Sequence, residues 1–274
     1  SLVVRVLPDE PAVDRDFDYL LPDSLLGAPD CPPIKVGTVV RVDLRGRRIR
    51  GWITAVDVNP PKGVDLSTVK KVSSCGPPAA IVDLSSWASN QWMGSRVHFL
   101  RTATHDRVVS SIADSTSRPP TVVPNENLAL EAFRRRGAVV RTPPNSDDFS
   151  LAVAAASHGR ALILTPTLAR AQRLAVAMRR AGIDVAVVPR DWVASAAGTV
   201  TIGTRSAAWA PIEDLEAVLV LDEHDESYQQ ESAPTWHARD VALERAKRDG
   251  ARWVIASPTP SLEALTCGAP LLTP

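Results

Sequence analysis

The chain has 274 residues, in which 31 lysines and arginines are balanced by 31 aspartates and glutamates. This length allows two domains, each with a hydrophobic core of its own. Because the net charge is zero, the chain as a whole does not attract nucleic acid or a membrane surface, so any site for a polyanion must be local. No apolar stretch approaches the roughly 20 residues that span a bilayer, and the N-terminus has no signal-peptide pattern. We therefore expect a cytoplasmic protein with no membrane partner.

The three cysteines, Cys31, Cys75 and Cys267, are far apart in the sequence. Structural zinc sites and disulfide frameworks use closely spaced pairs of cysteines. We therefore expect free thiols and no metal site in this chain.

Residues 1–103 predict a β-rich domain with a helical tail. The segments LVVRVLP, FDYLLP, TVVRVDL and RGWITAV alternate aliphatic with polar residues, which is typical of short strands in a small barrel with one solvated face. The pattern becomes helical from Ile81 to about Leu100. The polar, proline-punctuated segment 104–124 predicts a linker.

Residues 125–274 predict a parallel α/β domain. Helical patterns such as FSLAVAAASHG and TLARAQRLAVAMRRAG alternate with apolar runs such as AVVR, RALILTP and EAVLVLD. This alternation indicates a parallel sheet with helices on both faces, whose ligands bind at the carboxyl ends of the strands. Polar residues follow four strands, as TPT (165–167), GTRS (203–206), DEHD (222–225) and SPTPS (257–261). Turns and helix caps are the alternative interpretation of these residues.

One strand end carries two carboxylates. In EAVLVLDEHDESY (216–228) an apolar run is followed directly by Asp222 and Glu223. By pattern alone, this is how a nucleoside triphosphatase supplies a magnesium ligand, here Asp222, and a catalytic base, here Glu223.

The motifs IGTRSAAWAP (202–211), DEHDESYQQ (222–230) and SPTPSLEAL (257–265) resemble, in the same order, those of primosomal protein N′ (PriA), a family of bacterial replication-restart helicases. The opening segments VVRVLPDEPAVDRDFDYLLPD and VGTVVRVDLRGRRIRGWITAV are similar to the start of the same family. The resemblance implies a small, β-barrel-like DNA-binding domain that captures the 3′ end of a DNA strand at a fork, followed by a RecA-like helicase lobe. It also implies ATP and Mg²⁺ as possible cofactors, and zinc only in a family module that is absent from this chain. Primosome and single-stranded-DNA-binding proteins are the implied partners, and we expect a monomer.

The resemblance also implies which residues bind the DNA 3′ end. An aromatic ring can stack on the terminal base, and a carboxylate can accept a hydrogen bond from the 3′-hydroxyl, which no internal nucleotide offers. The residues implied are Phe17, Asp18, Tyr19, Gly37 and Lys70, the last as a phosphate contact.

A basic cluster supplies local positive charge that the neutral chain lacks. It consists of Arg45, Arg47, Arg48 and Arg50. It predicts a phosphate-binding patch, with a solvated rim as the alternative. In the second domain, Arg205 of GTRS is predicted to contact a DNA phosphate or to support the neighbouring carboxylates.

The phosphate-binding loop departs from the family. A working motor needs GxxxxGK[ST], whose backbone amides and lysine bind the phosphates. The corresponding segment here is TPPNSDDF (142–149), without glycine or lysine, and Asp148 stands where the lysine belongs. Its prolines remove amide donors and its aspartates add negative charge. The degenerate loop residues are Asn145, Ser146, Asp147 and Asp148.

Two further changes point the same way. When His224 and Tyr228 are aligned with the family, Leu221 falls where PriA has its magnesium-binding aspartate, and a one-residue slip on a strand reverses the face of a side chain. Pro258 replaces an alanine of the family's coupling segment. We therefore predict a replication-restart protein that binds forks without helicase activity. The alternative is an active ATP-dependent 3′–5′ helicase with a nonstandard phosphate loop.

A nuclease with a metal cluster at residues 222–225 is disfavoured, because consecutive strand residues cannot all face one ion.

Overall fold

A computed structural model describes residues 2–26, 31–60, 63–113, 122, 127–144 and 146–274. The chain forms two compact units, Ser1–Ala113 and Asp114–Pro274. Asn145 of the predicted phosphate loop and most of the predicted linker beyond 113 lie outside the described residues.

The first unit contains a five-stranded antiparallel sheet in the order β2-β1-β4-β3-β5. Its strands are β1 (Leu2–Pro8), β2 (Phe17–Leu21), β3 (Val39–Leu44), β4 (Arg47–Val56) and β5 (Lys71–Ser74). Alternate residues, among them Val4, Tyr19, Val40 and Val72, form a buried cluster on its inner face. Edge strand β2 also meets the segment before β5 at a single bridge between Leu20 and Thr68. The β-rich domain is confirmed, whereas this pairing does not show the predicted small barrel.

Two helices cover the outer face of one end of this sheet. They are α1 (Ala79–Trp92) and α2 (Arg96–Ala103), in place of the single helix predicted from Ile81 to Leu100. Helix α1 ends at Trp92, because Met93 adopts a left-handed φ of 50°. The unit continues past the predicted linker start at 104, since Trp52 Nε1 donates to Thr104 Oγ1 at 2.9 Å and Cys75 N donates to Val109 O at 2.6 Å.

The second unit contains a seven-stranded sheet in the order β12-β6-β11-β10-β7-β9-β8, with every pairing parallel. Its strands are β6 (Gly137–Arg141), β7 (Ala161–Leu164), β8 (Val185–Val187), β9 (Val200–Gly203), β10 (Ala217–Leu221), β11 (Arg252–Ser257) and β12 (Leu271–Leu272). Its helices are α3 (Asn127–Arg134), α4 (Phe149–Ala156), α5 (Leu168–Arg180), α6 (Trp192–Ala196), α7 (Ala238–Asp249) and α8 (Leu262–Thr266). The predicted parallel α/β architecture is confirmed.

Both faces of the second sheet are buried. Leu219 and Leu221 of β10 belong to one cluster with residues of α3, α4 and α5. The alternate residues Val218 and Val220 are fully buried as well, and α7 contacts the same strand. The chain leaves β7 toward the β8 edge and leaves β10 toward the β12 edge. A crevice therefore opens at the carboxyl ends of these two neighbours, the usual place for a ligand in such sheets.

Candidate DNA-end pocket and degenerate phosphate site

A cavity of about 720 Å³ lies at one end of the sheet in the first unit. It is bounded by the first residues of β2, the end of β3 and the loop 64–67. Three of the predicted pocket residues, Phe17, Asp18 and Tyr19, line this cavity together with Arg45.

The two aromatic residues of β2 differ in accessibility. Both share the inner face of the sheet, because they are two residues apart. Tyr19 is only 3% exposed, and its hydroxyl donates to Asp43 O at 3.4 Å. Phe17 is partly exposed, and the Arg15 guanidinium lies 5.5 Å from its ring centroid. Phe17 is thus the more accessible of the two rings, and Tyr19 is part of the buried core.

Asp18 is held by an ion pair. Arg5 on β1 is its direct cross-strand partner and donates through Nε at 2.8 Å and Nη2 at 3.2 Å. This hydrogen bond raises the pKa of Arg5 above its ordinary value. Arg5 also lines the cavity, although the sequence reasoning did not single it out. The antiparallel pairing of β1 with β2, which places Arg5 opposite Asp18, is the feature that points to this residue.

Gly37 does not line the cavity. It precedes the first residue of β3, whereas the cavity is formed by Asp43, Leu44 and Arg45 at the other end. Six strand residues span about 20 Å. Gly37 has a left-handed φ of 91°, and an added Cβ would lie 1.7 Å from Pro77 O. The structure therefore gives this glycine a close backbone packing contact away from the other predicted pocket residues.

The predicted cations of the first unit differ in their exposure and in their pairing with carboxylates. Lys70 Nζ lies 3.5 Å from Asp43 Oδ2, beside the cavity. Arg45 lines the cavity in the turn after β3, and Arg47 is exposed on β4.

The other two arginines of the basic cluster are paired with carboxylates. Arg48 Nε is 3.7 Å from Asp43 Oδ1. Arg50 is bonded to Asp9 at 2.8 Å and lies over the Trp52 ring at 5.1 Å. Arg50 therefore links β4 to the residue that follows β1, and it is less open to a ligand than Arg45 or Arg47.

A second cavity, of about 650 Å³, lies at the carboxyl edge of the second sheet. The degenerate loop forms one wall through Ser146, Asp147 and Asp148. Arg170 and Arg173 of α5 form another, and Asp222, His224 and Pro258 complete it.

Arg170 bridges two carboxylates inside this cavity. It binds Asp148 Oδ2 through Nε at 2.7 Å and Nη2 at 2.6 Å, and binds Asp222 Oδ2 through Nη1. Burial raises the pKa of Asp148, an effect that Arg170 partly offsets. Burial also opposes the charge of Arg170, but its bonds to both carboxylates outweigh this and raise its pKa. The guanidinium of Arg170 is thus already paired with two acids.

The carboxylates that follow β10 point into different surroundings. Leu221 is 1% exposed, within the cluster formed with α4. Asp222 turns the chain with a left-handed φ of 49° and enters the cavity.

Glu223 is 1% exposed and does not line the cavity. It accepts from Ser261 N at 2.6 Å, Ser261 Oγ at 3.0 Å and Arg239 Nη1 at 3.1 Å. Asp222 and Glu223 therefore lie in different surroundings, and Glu223 ties β10 to α7 and to the start of α8.

The remaining motif residues form bonds within the second unit. Arg205 donates through Nη1 to Ser227 O at 3.0 Å and Gln229 O at 2.8 Å, so it supports the turn that follows the carboxylates. His224 Nδ1 lies 2.7 Å from Ser257 Oγ, beside Pro258. Among the described residues, no three His, Cys, Asp or Glu side chains gather as a metal site, and no helix there is long and apolar enough to cross a membrane.

Comparison with known proteins finds similarity to PriA proteins. Residues 5–104 match the family described as the 3′ DNA-binding domain (3′BD) of PriA. The chain is 38% identical over 118 residues to the replication restart protein PriA of Chlamydia pneumoniae, an overlap of 38% of this chain and 16% of that protein. It is 28% identical over 272 residues to the probable replication restart protein PriA of Mycobacterium tuberculosis, an overlap of 86% of this chain and 41% of that protein. Residues 5–104 thus match the PriA 3′ DNA-binding domain, and the chain as a whole is similar to PriA proteins.

A third relative extends the same comparison. The probable replication restart protein PriA of Mycobacterium leprae is 28% identical over 292 residues, an overlap of 93% of this chain and 44% of the relative. The chain thus spans less than half the length of these PriA proteins. The resemblance read from the sequence motifs is confirmed, and the mycobacterial PriA matches include both compact units.

Proposed function

We propose that this chain is a DNA-binding protein of replication restart that holds the 3′ end of a DNA strand at a stalled or abandoned fork. The observation that carries the proposal is the cavity lined by Phe17 and Asp18 within the segment that matches the PriA 3′ DNA-binding domain. We further propose that it works in the cytoplasm, as a monomer, with primosome and single-stranded-DNA-binding proteins as partners.

The pocket chemistry suits a terminal nucleotide. The half-open ring of Phe17 offers a stacking surface for the last base, a contact of about 1–3 kcal/mol. A carboxylate has about four lone-pair sites. Arg5 donates twice to Asp18, which leaves sites that accept the proton of a 3′-hydroxyl. A 3′-phosphate has no such proton to offer and is repelled by the same carboxylate.

For the second unit we propose a helicase-type lobe that does not hydrolyse ATP. The support is the bridge from Asp148 through Arg170 to Asp222, which places two acids and a paired cation where the phosphates of ATP would lie. Leu221 offers no ligand to Mg²⁺. The lobe then serves as a platform for duplex DNA or for partner proteins.

An active ATP-dependent 3′–5′ helicase is the second candidate. The position of Asp222 favours it, since this carboxylate shares one cavity with the loop 142–149. It is weaker because Asp222 is neutralised by Arg170 and because Glu223 is turned away as a buried anchor.

The test of the proposed function is end discrimination by Asp18→Asn. The wild-type chain should bind a fork with a 3′-hydroxyl about ten to a hundred times more tightly than one with a 3′-phosphate, since hydrogen bonds to charged groups contribute about 1.5–3 kcal/mol. Asp18→Asn should reduce that ratio to about threefold or less, because the neutral amide no longer repels phosphate. Fluorescence anisotropy with the two labelled forks measures both affinities.

Asp65→Asn is the matched control. Asp65 lines the same cavity from the 64–67 loop, so its substitution removes one charge from the same place. It should leave the end preference intact. Equal wild-type affinity for the two ends refutes the proposal.

A further inference from the structure

A row of cations crosses the outer face of the first sheet. Lys71 of β5 is directly opposite Arg41 of β3, and Arg41 is directly opposite Arg50 of β4. Adjacent strands are about 4.8 Å apart. Three positive side chains therefore lie side by side on three neighbouring strands.

The row projects away from the core. Val40, Val42 and Val72 belong to the inner cluster, so Arg41 and Lys71, which alternate with them, face outward. Both are exposed.

Nearby carboxylates are already occupied. Asp9 binds Arg50 at 2.8 Å and Arg101 at 2.6 Å. Asp43 lies near Arg48 at 3.7 Å and Lys70 at 3.5 Å. Each acid at the border of the row is shared by two cations.

Within the described part of the chain, Arg41 and Lys71 form no ion pair. Like charges directly opposite on adjacent strands destabilise a sheet. Folding therefore gives no reason for this arrangement, whereas a bound polyanion does.

We propose that Arg41 and Lys71 form a phosphate-contact row that binds the DNA backbone leading to the 3′-end pocket. The row adjoins the pocket: Asp43 lines the cavity and lies two residues from Arg41 along β3, a step of about 7 Å. A DNA strand carries one charge per roughly 3.4 Å of helix axis, which suits cations repeated at short intervals. This inference rests on the proposed DNA-end function, and the continuity of row and pocket favours DNA over an acidic protein as occupant.

The test is the salt dependence of fork binding by the full chain carrying Arg41→Gln and Lys71→Gln. Losing two phosphate contacts should reduce the slope of log affinity against log salt concentration by about 1.4–1.8, and lower the affinity roughly tenfold at low salt. The ratio of affinities for 3′-hydroxyl and 3′-phosphate forks should stay at the wild-type value, because these residues contact backbone and not the end. The melting temperature should not fall, since a repulsive pair is removed.

Two further variants complete the design. Arg180→Gln with Lys247→Gln removes two exposed cations from the second unit and should change neither slope nor affinity. Exchanging the two residues, as Arg41→Lys with Lys71→Arg, retains both charges and should retain the slope.

Wild-type slope and affinity in the double glutamine variant overturn the inference and leave an acidic protein as the occupant. An equal loss in the second-unit control, or in the exchanged pair, also overturns it. These outcomes are separate from the proposed function, which fails only when the wild-type chain does not distinguish the two ends.

Discussion

Arg170 controls the electrostatics of the second cavity. It is one cation between two carboxylates, and the partners are largely shielded from solvent, with side-chain exposures of 14% for Asp148 and 22% for Asp222. A magnesium-bound nucleotide would have to displace this guanidinium and then face the acids. The same contact makes the folded lobe depend on one side chain.

We predict that Arg170→Met lowers the stability of the second unit by about 2 kcal/mol at neutral pH, because it leaves two partly buried carboxylates unpaired. In this variant the pKa of Asp148, which burial already raises, rises further in the folded state because Arg170 no longer offsets burial, so the folded state binds a proton more tightly than the unfolded state. The stability deficit should therefore shrink as the pH falls from about 7 toward about 4. Urea unfolding of variant and wild type across this range measures it.

Arg173→Met is the control for this prediction. Arg173 lines the same cavity but has no ion pair in the described part of the chain. A deficit in Arg170→Met that is independent of pH would contradict the role given to the two carboxylates.

At the residue scale, the sequence showed that the loop 142–149 lacks glycine and lysine, but it did not show which residue pairs with its Asp148. The acids and prolines of TPPNSDDF, and its lack of glycine and lysine, argued against a phosphate-binding loop. Nothing in the sequence showed that Arg170 would reach across to Asp148, since that contact depends on how α5 is placed over the sheet edge. Tyr19 was grouped with Phe17 by motif, and only tertiary packing separates the buried ring from the open one.

At the element scale, the two ends of β3 differ: Gly37 packs tightly before its start, and a cavity lies at its other end. This glycine packs against Pro77 at the start of β3, while the DNA-end cavity lies at the finish. The fold requires the left-handed φ of Gly37 and leaves no room for a Cβ beside Pro77 O.

Gly37→Ala should therefore destabilise the first unit by about 3 kcal/mol or more, through backbone strain and overpacking. The folded protein should keep its preference for a 3′-hydroxyl. Thermal unfolding and fork anisotropy measure the two effects separately.

Gly46→Ala is the comparison for Gly37→Ala. Gly46 also has a left-handed φ, of 77°, but an added Cβ meets nothing within 4 Å, so the cost should be about 1 kcal/mol. Loss of end preference in fully folded Gly37→Ala would place this glycine in binding after all.

Elements with a long periodic pattern were predictable and short ones were not. The alternation in β1, β2 and β3, and the helical pattern of α5, gave their type and approximate bounds. The five-residue helices α6 and α8 and the two-residue strand β12 are too short to carry a period. The break at Met93 escaped notice because the apolar pattern continues across it.

At the scale of the whole molecule, two compact units divide the expected chemistry. The first presents the cavity that we propose for a DNA end together with the cation row, and the second presents the cavity that we propose does not bind the phosphates of ATP. Ligands that bind only the folded state raise its stability, by about 2.7 kcal/mol at a concentration of a hundred times Kd.

We predict that fork DNA with a 3′-hydroxyl raises the melting temperature of the first unit, whereas millimolar Mg-ATP leaves the melting temperature of the second unit unchanged. Differential scanning calorimetry of the full chain with each ligand checks both expectations. A shift of several degrees with Mg-ATP that disappears in Asp222→Asn would favour the helicase candidate.

The sequence motifs predicted the similarity to PriA proteins, and the alternation of strand and helix patterns predicted the parallel sheet. The order of the strands, and hence the crevice between β7 and β10, follows from long-range pairing that a single sequence does not display. The neutral net charge directed attention to local patches, yet the sequence did not show that Arg41 and Lys71 lie side by side, because this depends on the register of β3 with β5.

The bridge at Arg170 would also make the proposed loss of a phosphate site hard to reverse in evolution. Asp148→Lys alone would set a new cation against Arg170 and strip that arginine of its better partner. Removing Arg170 first would leave Asp148 and Asp222 repelling each other. Each single step back passes through a less stable protein, so selection for stability alone would keep this lobe from recovering an ATP site one substitution at a time.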